Sequence, residues 1–282
     1  MTIPPDDSTP LAAQSLDALR RRLRGIVALK AEDELRKFAD ALSGDPRRGA
    51  QSLVKSVLRR LALAQQERDR VDGLFKLRRS LFEAGWQRIA GVDEVGVGPL
   101  AGPVVAAAVI LPEHVELPGI NDSKKLSRGA REKLDLAIRE RALAISIGEV
   151  SHLEIDQLNI YRASLEAMRR AVVMLDPAPD YCLVDARTIP GTPGEAPAFT
   201  QQALIHGDAI DGSIAAASIV AKVYRDRIML ELDTRYPGYG FARHMGYGTA
   251  FHLEALERLG ASPVHRRSFA PVSAVQRQTA RR

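Results

Sequence analysis

Residues 89–111, IAGVDEVGVGPLAGPVVAAAVIL, decide how the rest of the chain is read. Ile89, Ala90 and Val92 form an apolar run that ends on adjacent carboxylates, Asp93 and Glu94; a glycine-rich turn and the eight-residue apolar run 104–111 follow. Two such runs joined by Gly and Pro predict a pair of strands buried on both faces. A carboxylate where a buried strand meets a loop must be paired or hold a cation, so this DE pair points to chemistry rather than to a solvated surface.

Outward from this unit, strands and helices alternate. Residues 111–127 read as a loop carrying Asp122, Ser123, Lys124 and Lys125; residues 128–141 read as a helix, and 143–150 (LAISIGEV) as a strand. A capping box, Ser151 with Glu154, opens a helix that runs to Leu175. Short strands are expected at 181–185 and 202–205, the second leading into His206, Gly207 and Asp208, with a Pro/Gly-rich loop at 190–197 between them. A long helix starting at Ile210 ends at Pro237 and Gly238; YGFARHMGYGT looks like a mobile segment, and residues 250–259 form a last helix. The pattern predicts an α/β domain over residues 86–272. Upstream, residues 1–12 read as disordered and residues 13–85 as a small helical domain with a basic face, broken at SGDPRRG and stopped by Gly85; residues 273–282 read as a basic tail.

Charge supports this division. The net charge is +5, and residues 1–85 hold 17 Lys and Arg against 12 Asp and Glu, so the whole excess is N-terminal. Such asymmetry suggests a polyanion-binding arm joined to a catalytic body. The single cysteine, Cys182, sits in an apolar run and excludes an internal disulfide framework. No apolar run approaches the roughly 20 residues that span a bilayer, so no membrane association is expected. A cytosolic location is the default, and with no long heptad pattern or broad apolar strip the expected state is a monomer without an obligate protein partner.

Three predicted strands lead into acids: Asp93 with Glu94, Asp185, and Asp208. Strand ends are where sites form in open α/β sheets. Four carboxylates without histidine or cysteine company would repel unless cations are bound, and an all-oxygen set selects Mg2+ or Mn2+. Two such ions suit in-line phosphodiester displacement, which implies a metal-dependent nuclease.

The motifs GVDEVGVGPLAGPV, NDSKKLS, LVDA, GD, AAASIVAKVYRDR and HMGYGT, in that order, resemble type 2 ribonuclease H (ribonuclease HII) over nearly all of residues 86–272. DPRR before a helix is similar to the N-terminal extension of some bacterial members. The resemblance implies an RNase H-like fold, a mixed central sheet flanked by helices, and cleavage of RNA in RNA/DNA hybrids and 5′ of single ribonucleotides embedded in DNA. It also implies metal ligation of two Mg2+ or Mn2+ ions by Asp93, Glu94, Asp185 and Asp208. Substrate contact would come from the loop Gly96-Val97-Gly98, from Ser123 and Lys124, and from Tyr247 stacking at the RNA–DNA junction. Asp226, flanked by Arg225 and Arg227, reads as an ion-pair partner or outer-shell group. His206, His244 and His265 lack a zinc spacing and read as surface or hydrogen-bonding residues, and Trp86 reads as a packing residue.

Three positions depart from the family pattern: Val97 replaces an arginine, and His206 and Met245 replace lysines. The expectation is weaker binding by the body, offset by the basic N-terminal domain. Two other readings stand beside the enzyme: a hybrid-binding protein without turnover, and a general metal-dependent nuclease acting on branched DNA. The four carboxylates argue against the first, the glycine loop with Tyr247 against the second.

Overall fold

A computed structural model describes residues 10–29, 31–191, 197 and 199–279. The chain divides into two compact units, one through Arg70 and one from Val71. Most of the N-terminal stretch expected to be disordered lies outside the described residues, as does most of the 190–197 loop.

The first unit is helical. A 3-10 turn at Leu11–Ala13 precedes α1 (Leu16–Ala28), capped by the Ser15 hydroxyl, which accepts from the Ala18 N–H. Then come α2 (Glu32–Leu42), with three acids in its first turn, and α3 (Arg48–Leu74). Residues 16–42, whose period fits one helix or a helical pair, are thus a pair. Leu19, Leu35, Phe38, Leu42, Val57 and Leu61 form the core. The turn before α3 is ordered by Arg47, which grips Asp45 and donates to the Gln14 and Ala12 carbonyls. Between α1 and α3 an open groove of about 790 Å³ is lined by Arg20, Arg24, Arg59 and Arg60 over a floor that includes Leu23, Val27 and Leu53.

The second unit is built on one five-stranded sheet. After α4 (Lys76–Glu83) come β1 (Ile89–Val95), β2 (Val104–Ile110), α5 (Arg128–Arg141), β3 (Ala144–Val150), α6 (His152–Leu158), α7 (Ile160–Val173), β4 (Tyr181–Asp185) and β5 (Thr200–Leu204). The strand order is β3-β2-β1-β4-β5; β1 runs antiparallel to β2 and parallel to β4, and β4 parallel to β5. The chain ends with α8 (Gly207–Ile210), α9 (Gly212–Arg235), α10 (Phe241–His244), α11 (Ala250–Leu259) and α12 (Ala270–Thr279).

Strand period two explains the burial of β2 on both faces. Val105, Ala107 and Val109 pack with Ala215–Val223 of α9 and with α5, whereas Ala106, Ala108 and Ile110 pack with Ala163, Ala167 and Ala171 of α7. The alanines of α9 bring its backbone close to the sheet. At Gly91 in β1 a Cβ would stand 2.0 Å from the Ser213 carbonyl carbon, so only glycine fits. Leu74 and Phe75 belong to the core on the α9 face, so the second unit begins well before Trp86, which packs edge-on against Tyr181 at 5.0 Å.

Several expectations need correction. The helix expected through Leu175 breaks at Asn159, whose φ of +68° ends α6 while its side chain caps α7. The long helix starts at Gly212, where the Asp211 carboxylate accepts from the Ser213 and Ile214 N–H groups. The segment read as mobile contains α10 with Phe241 and His244 buried, and the basic tail is largely α12, anchored by buried Val272 and Val275. Two buried aliphatics in a polar stretch are too weak a period to reveal a helix.

Candidate active site

Because β1, β4 and β5 are parallel, their C-terminal ends lie along one edge of the sheet. Asp93, Glu94 and Asp185 each offer an oxygen within 4.8 Å of the others. Asp93 is 4% exposed, and Glu94 Oε2 is buried with no hydrogen-bond partner. Burial raises the Asp93 pKa, with the charges of Glu94 and Asp185 adding to it; burial also raises that of Glu94, against the opposing pull of Arg187. Crowded carboxylates with an orphaned buried oxygen suit a hard divalent cation.

The surroundings hold these acids mostly by neutral donors, with one arginine. The Glu94 N–H donates to Asp93 Oδ1 at 2.7 Å, and the Gly207 N–H to Asp185 Oδ1 at 2.7 Å. The Ser218 hydroxyl donates to Asp93 and lies 2.9 Å from the Ser123 hydroxyl. Arg187 Nε donates to Glu94 Oε1 at 3.3 Å while its guanidinium stacks over Tyr161.

Asp208 is in α8, four residues past β5, and outside the tightest trio. Its Oδ2 is 3.8 Å from Lys124 Nζ, and burial with the Asp122 charge raises its pKa. Lys124 is otherwise exposed, but Ser123 is buried against Ser218. Asp226 is ion-paired to Lys222 at 2.6 Å and Arg131 at 3.6 Å. These partners sit one turn back on α9 and on α5, so neither flanking arginine is its counter-ion.

The glycine loop and Tyr247 come together: a Cβ on Gly98 would touch the Tyr247 ring at 3.5 Å, and Tyr247 is 43% exposed. The segment before Tyr247 is held from below by histidines. Because the Ser262 N–H donates to His265 Nδ1, the His265 proton lies on Nε2, facing His252 Nε2 at 3.0 Å; His252 then donates from Nδ1 to the Tyr247 carbonyl at 2.9 Å. His244 stacks on His252 at 4.4 Å. His244 and His265 are hydrogen-bonding residues, as expected.

Among the described residues four non-glycines have positive φ, and three flank candidate site residues: Ala186 after Asp185, His206 before Asp208, and Met245 before Tyr247. Strain of this kind, roughly 1–3 kcal/mol each, gathers where geometry is dictated by a site.

A family model described as ribonuclease HII matches residues 90–272, and one described as ribonuclease HII N-terminal domain matches residues 27–81. The chain belongs to the ribonuclease HII family. Ribonuclease HII of Geobacillus thermodenitrificans (strain NG80-2) is 53% identical over 233 residues, spanning 83% of this chain and 88% of that one. That of Anaeromyxobacter sp. (strain Fw109-5) is 48% identical over 263 residues, 93% and 80% of the two chains. The crystal structure of ribonuclease H2 from Pyrococcus horikoshii OT3 superposes with a TM-score of 0.59 at 29% identity, covering 69% of this chain and all of that one. The fold is that of ribonuclease H, and ribonuclease H activity on RNA/DNA hybrids follows from membership in the family.

Two contributors to this ribonuclease HII site escape sequence reasoning. Ser218 reads as one more small residue in AAAS, since its contact with Asp93 spans 125 residues of chain. Arg187 had a signal, lying two residues past Asp185, but only the sheet pairing of β1 with β4 brings it to Glu94.

Proposed function

We propose that the enzyme hydrolyses the RNA strand of RNA/DNA hybrids and incises 5′ of single ribonucleotides in duplex DNA, leaving 3′-OH and 5′-phosphate ends. Asp93, Glu94, Asp185 and Asp208 would hold two Mg2+ or Mn2+ ions. The observation that carries this reading is the carboxylate trio, Asp93 buried and Glu94 and Asp185 half-buried, with its unpartnered Glu94 oxygen, on the same unit as a glycine loop touching an exposed tyrosine. Bound divalent ions supply an activated water at neutral pH and Lewis acidity at the phosphate.

The residues of the chain have separable tasks in this reading. The N–H groups of Gly96, Val97 and Gly98 approach ribose and phosphate, and Tyr247 stacks at the junction, where the 2′-OH separates RNA from DNA. Lys124, exposed beside Asp208, contacts phosphate. Ser123 positions Ser218 and through it Asp93, because its hydroxyl is buried rather than presented to solvent. The arginine-lined groove of the first unit supports a role as a nucleic-acid-binding arm. A cytosolic setting, with Cys182 buried and unpaired, completes the proposal.

One cleavage experiment tests it: all-DNA, single-ribonucleotide and full-hybrid duplexes, each with Mg2+ and then Mn2+. Both ribonucleotide-containing duplexes are cut and the all-DNA duplex is not, and Asp93→Asn or Asp185→Asn abolishes cutting. Cutting of the all-DNA duplex at a comparable rate would favour a general nuclease, and tight hybrid binding without cutting a non-catalytic protein. In the same assay, removal of residues 1–70, which spares the buried Leu74 and Phe75, raises KM at moderate salt.

A further inference from the structure

Two arginines lie fully buried behind the glycine loop. Arg225 donates from Nε to the Pro103 carbonyl at 2.9 Å and from its terminal nitrogens to the Met245 and Ala101 carbonyls at 3.0 and 3.1 Å. Arg266 donates to the Gly102, Val97, Gly96 and Pro103 carbonyls at 3.0, 3.0, 2.6 and 3.1 Å. Six carbonyls of the loop and of Met245 are thus satisfied from inside the fold. Among the described residues neither guanidinium has a carboxylate within ion-pairing distance, Asp226 being taken by Arg131 and Lys222, and the Val97 and Gly98 N–H groups make no backbone hydrogen bond.

We propose that Arg225 and Arg266 are positioning residues that set ribonucleotide preference: by binding the Gly96 and Val97 carbonyls and the rest of the loop from behind, they turn the Val97 and Gly98 N–H groups outward toward the ribose and phosphate of a ribonucleotide. This rests on the reading of the glycine loop given above. A peptide has its N–H and C=O on opposite sides, so pinning the carbonyls inward fixes the donors outward as an anion-binding nest.

Charge argues for the same role. A buried guanidinium without an acid is costly unless its donors are all used and its charge is balanced. The carbonyls use the donors; a phosphate at the outer face of the loop balances the charge. The pair therefore supplies from below the positive potential that Val97, lacking a guanidinium, does not supply from above. Gly96 makes the arrangement possible, since its φ is +92° and a Cβ there would lie 2.2 Å from Arg225 Nε. Tyr247 belongs to the same device: Arg225 holds the Met245 carbonyl two residues before it, and its ring lies against Gly98.

The test compares the full-length wild type with Arg225→Lys and Arg266→Lys, which keep the charge and lose the planar fork. With Mg2+, kcat and KM are measured on a duplex holding one ribonucleotide, and Ki for the all-DNA duplex of the same sequence as competitor. The proposal expects KM to rise about 10- to 100-fold in the variants, with kcat and Ki within about threefold of wild type. A purely structural role would instead lower kcat per mole of protein and leave KM alone, and that result, or an unchanged KM, overturns the proposal. If wild type itself shows Ki no higher than KM, the reading of the loop fails, and the proposal with it. Should the lysine variants not fold, Gly96→Ala, which drives a methyl into Arg225, must raise KM in the same way; a wild-type KM there also overturns the idea.

Discussion

The two sides of the candidate site break the pairing rule for buried charge in opposite senses. At the sheet edge, Asp93, Glu94 and Asp185 crowd together, and among the described residues Arg187, reaching Glu94, is the one cation within ion-pairing distance of the three. Behind the glycine loop, Arg225 and Arg266 are buried, and among the described residues neither has an acid within ion-pairing distance. Backbone does the holding in both places, N–H groups for the acids and carbonyls for the arginines. The difference lies in what remains: the acidic side keeps unused oxygens, while the basic side spends every contact on its own loop. Unspent acceptors suit a metal ion, whereas spent donors suit a scaffold that orients other donors.

The comparison predicts opposite signs when each side is neutralised. Arg266→Met removes four hydrogen bonds and leaves buried carbonyls unpaired, so stability to urea falls by about 3–5 kcal/mol; a loss below about 1 kcal/mol breaks the comparison. Asp93→Asn relieves repulsion and desolvation at a carboxylate whose pKa burial has raised, so in chelator at neutral pH the variant is more stable than wild type by about 1–2 kcal/mol while inactive. A destabilised variant would mean that the acids are balanced within the protein. The smallest effect concerns the histidines under Tyr247. Burial, with His252 next, pushes the His265 pKa down to about 4, so the folded state refuses a proton that the unfolded chain accepts near 6.5. Its stabilising contribution is full above pH 6.5 and is lost as pH falls toward 4, at no more than about 1.4 kcal/mol per unit. The buried carboxylates, with raised pKa values, act in the other direction, so the slope is best read on Asp93→Asn in chelator by urea melts from pH 7 to 5. A flat profile would show that His265 is not held neutral by its burial beside His252.

Legibility in the sequence followed contact distance. β1 and β2 were plain because continuous runs of small and β-branched residues bounded by Gly and Pro mark strands buried on both faces. Asp93, Glu94 and Asp185 were legible as strand-end acids, and the resemblance to ribonuclease HII reached the same residues from motif order. Asn159 was not legible as a helix break, because nothing in LNIY departs from helical pattern until a positive φ is imposed by packing. Arg225 and Arg266 were passed over since a charged residue in a helix or near the C-terminus is ordinarily solvated; each reaches carbonyls more than 120 residues away. His244 and His265 were read as surface or hydrogen-bonding groups, and His252, which reaches the Tyr247 carbonyl, was not singled out.

What residues 89–111 specify unaided is local: two strands buried on both faces, acids at the end of one, and glycines where the backbone must bend. Those properties depend on side-chain size and period, which a string of residues displays. Which acids converge, which serine touches Asp93, and which cations stand behind the loop depend on the parallel pairing of β1 with β4 and on α9 lying against the sheet at Gly91. These are long-range contacts, and only the folded chain brings their partners within hydrogen-bonding reach.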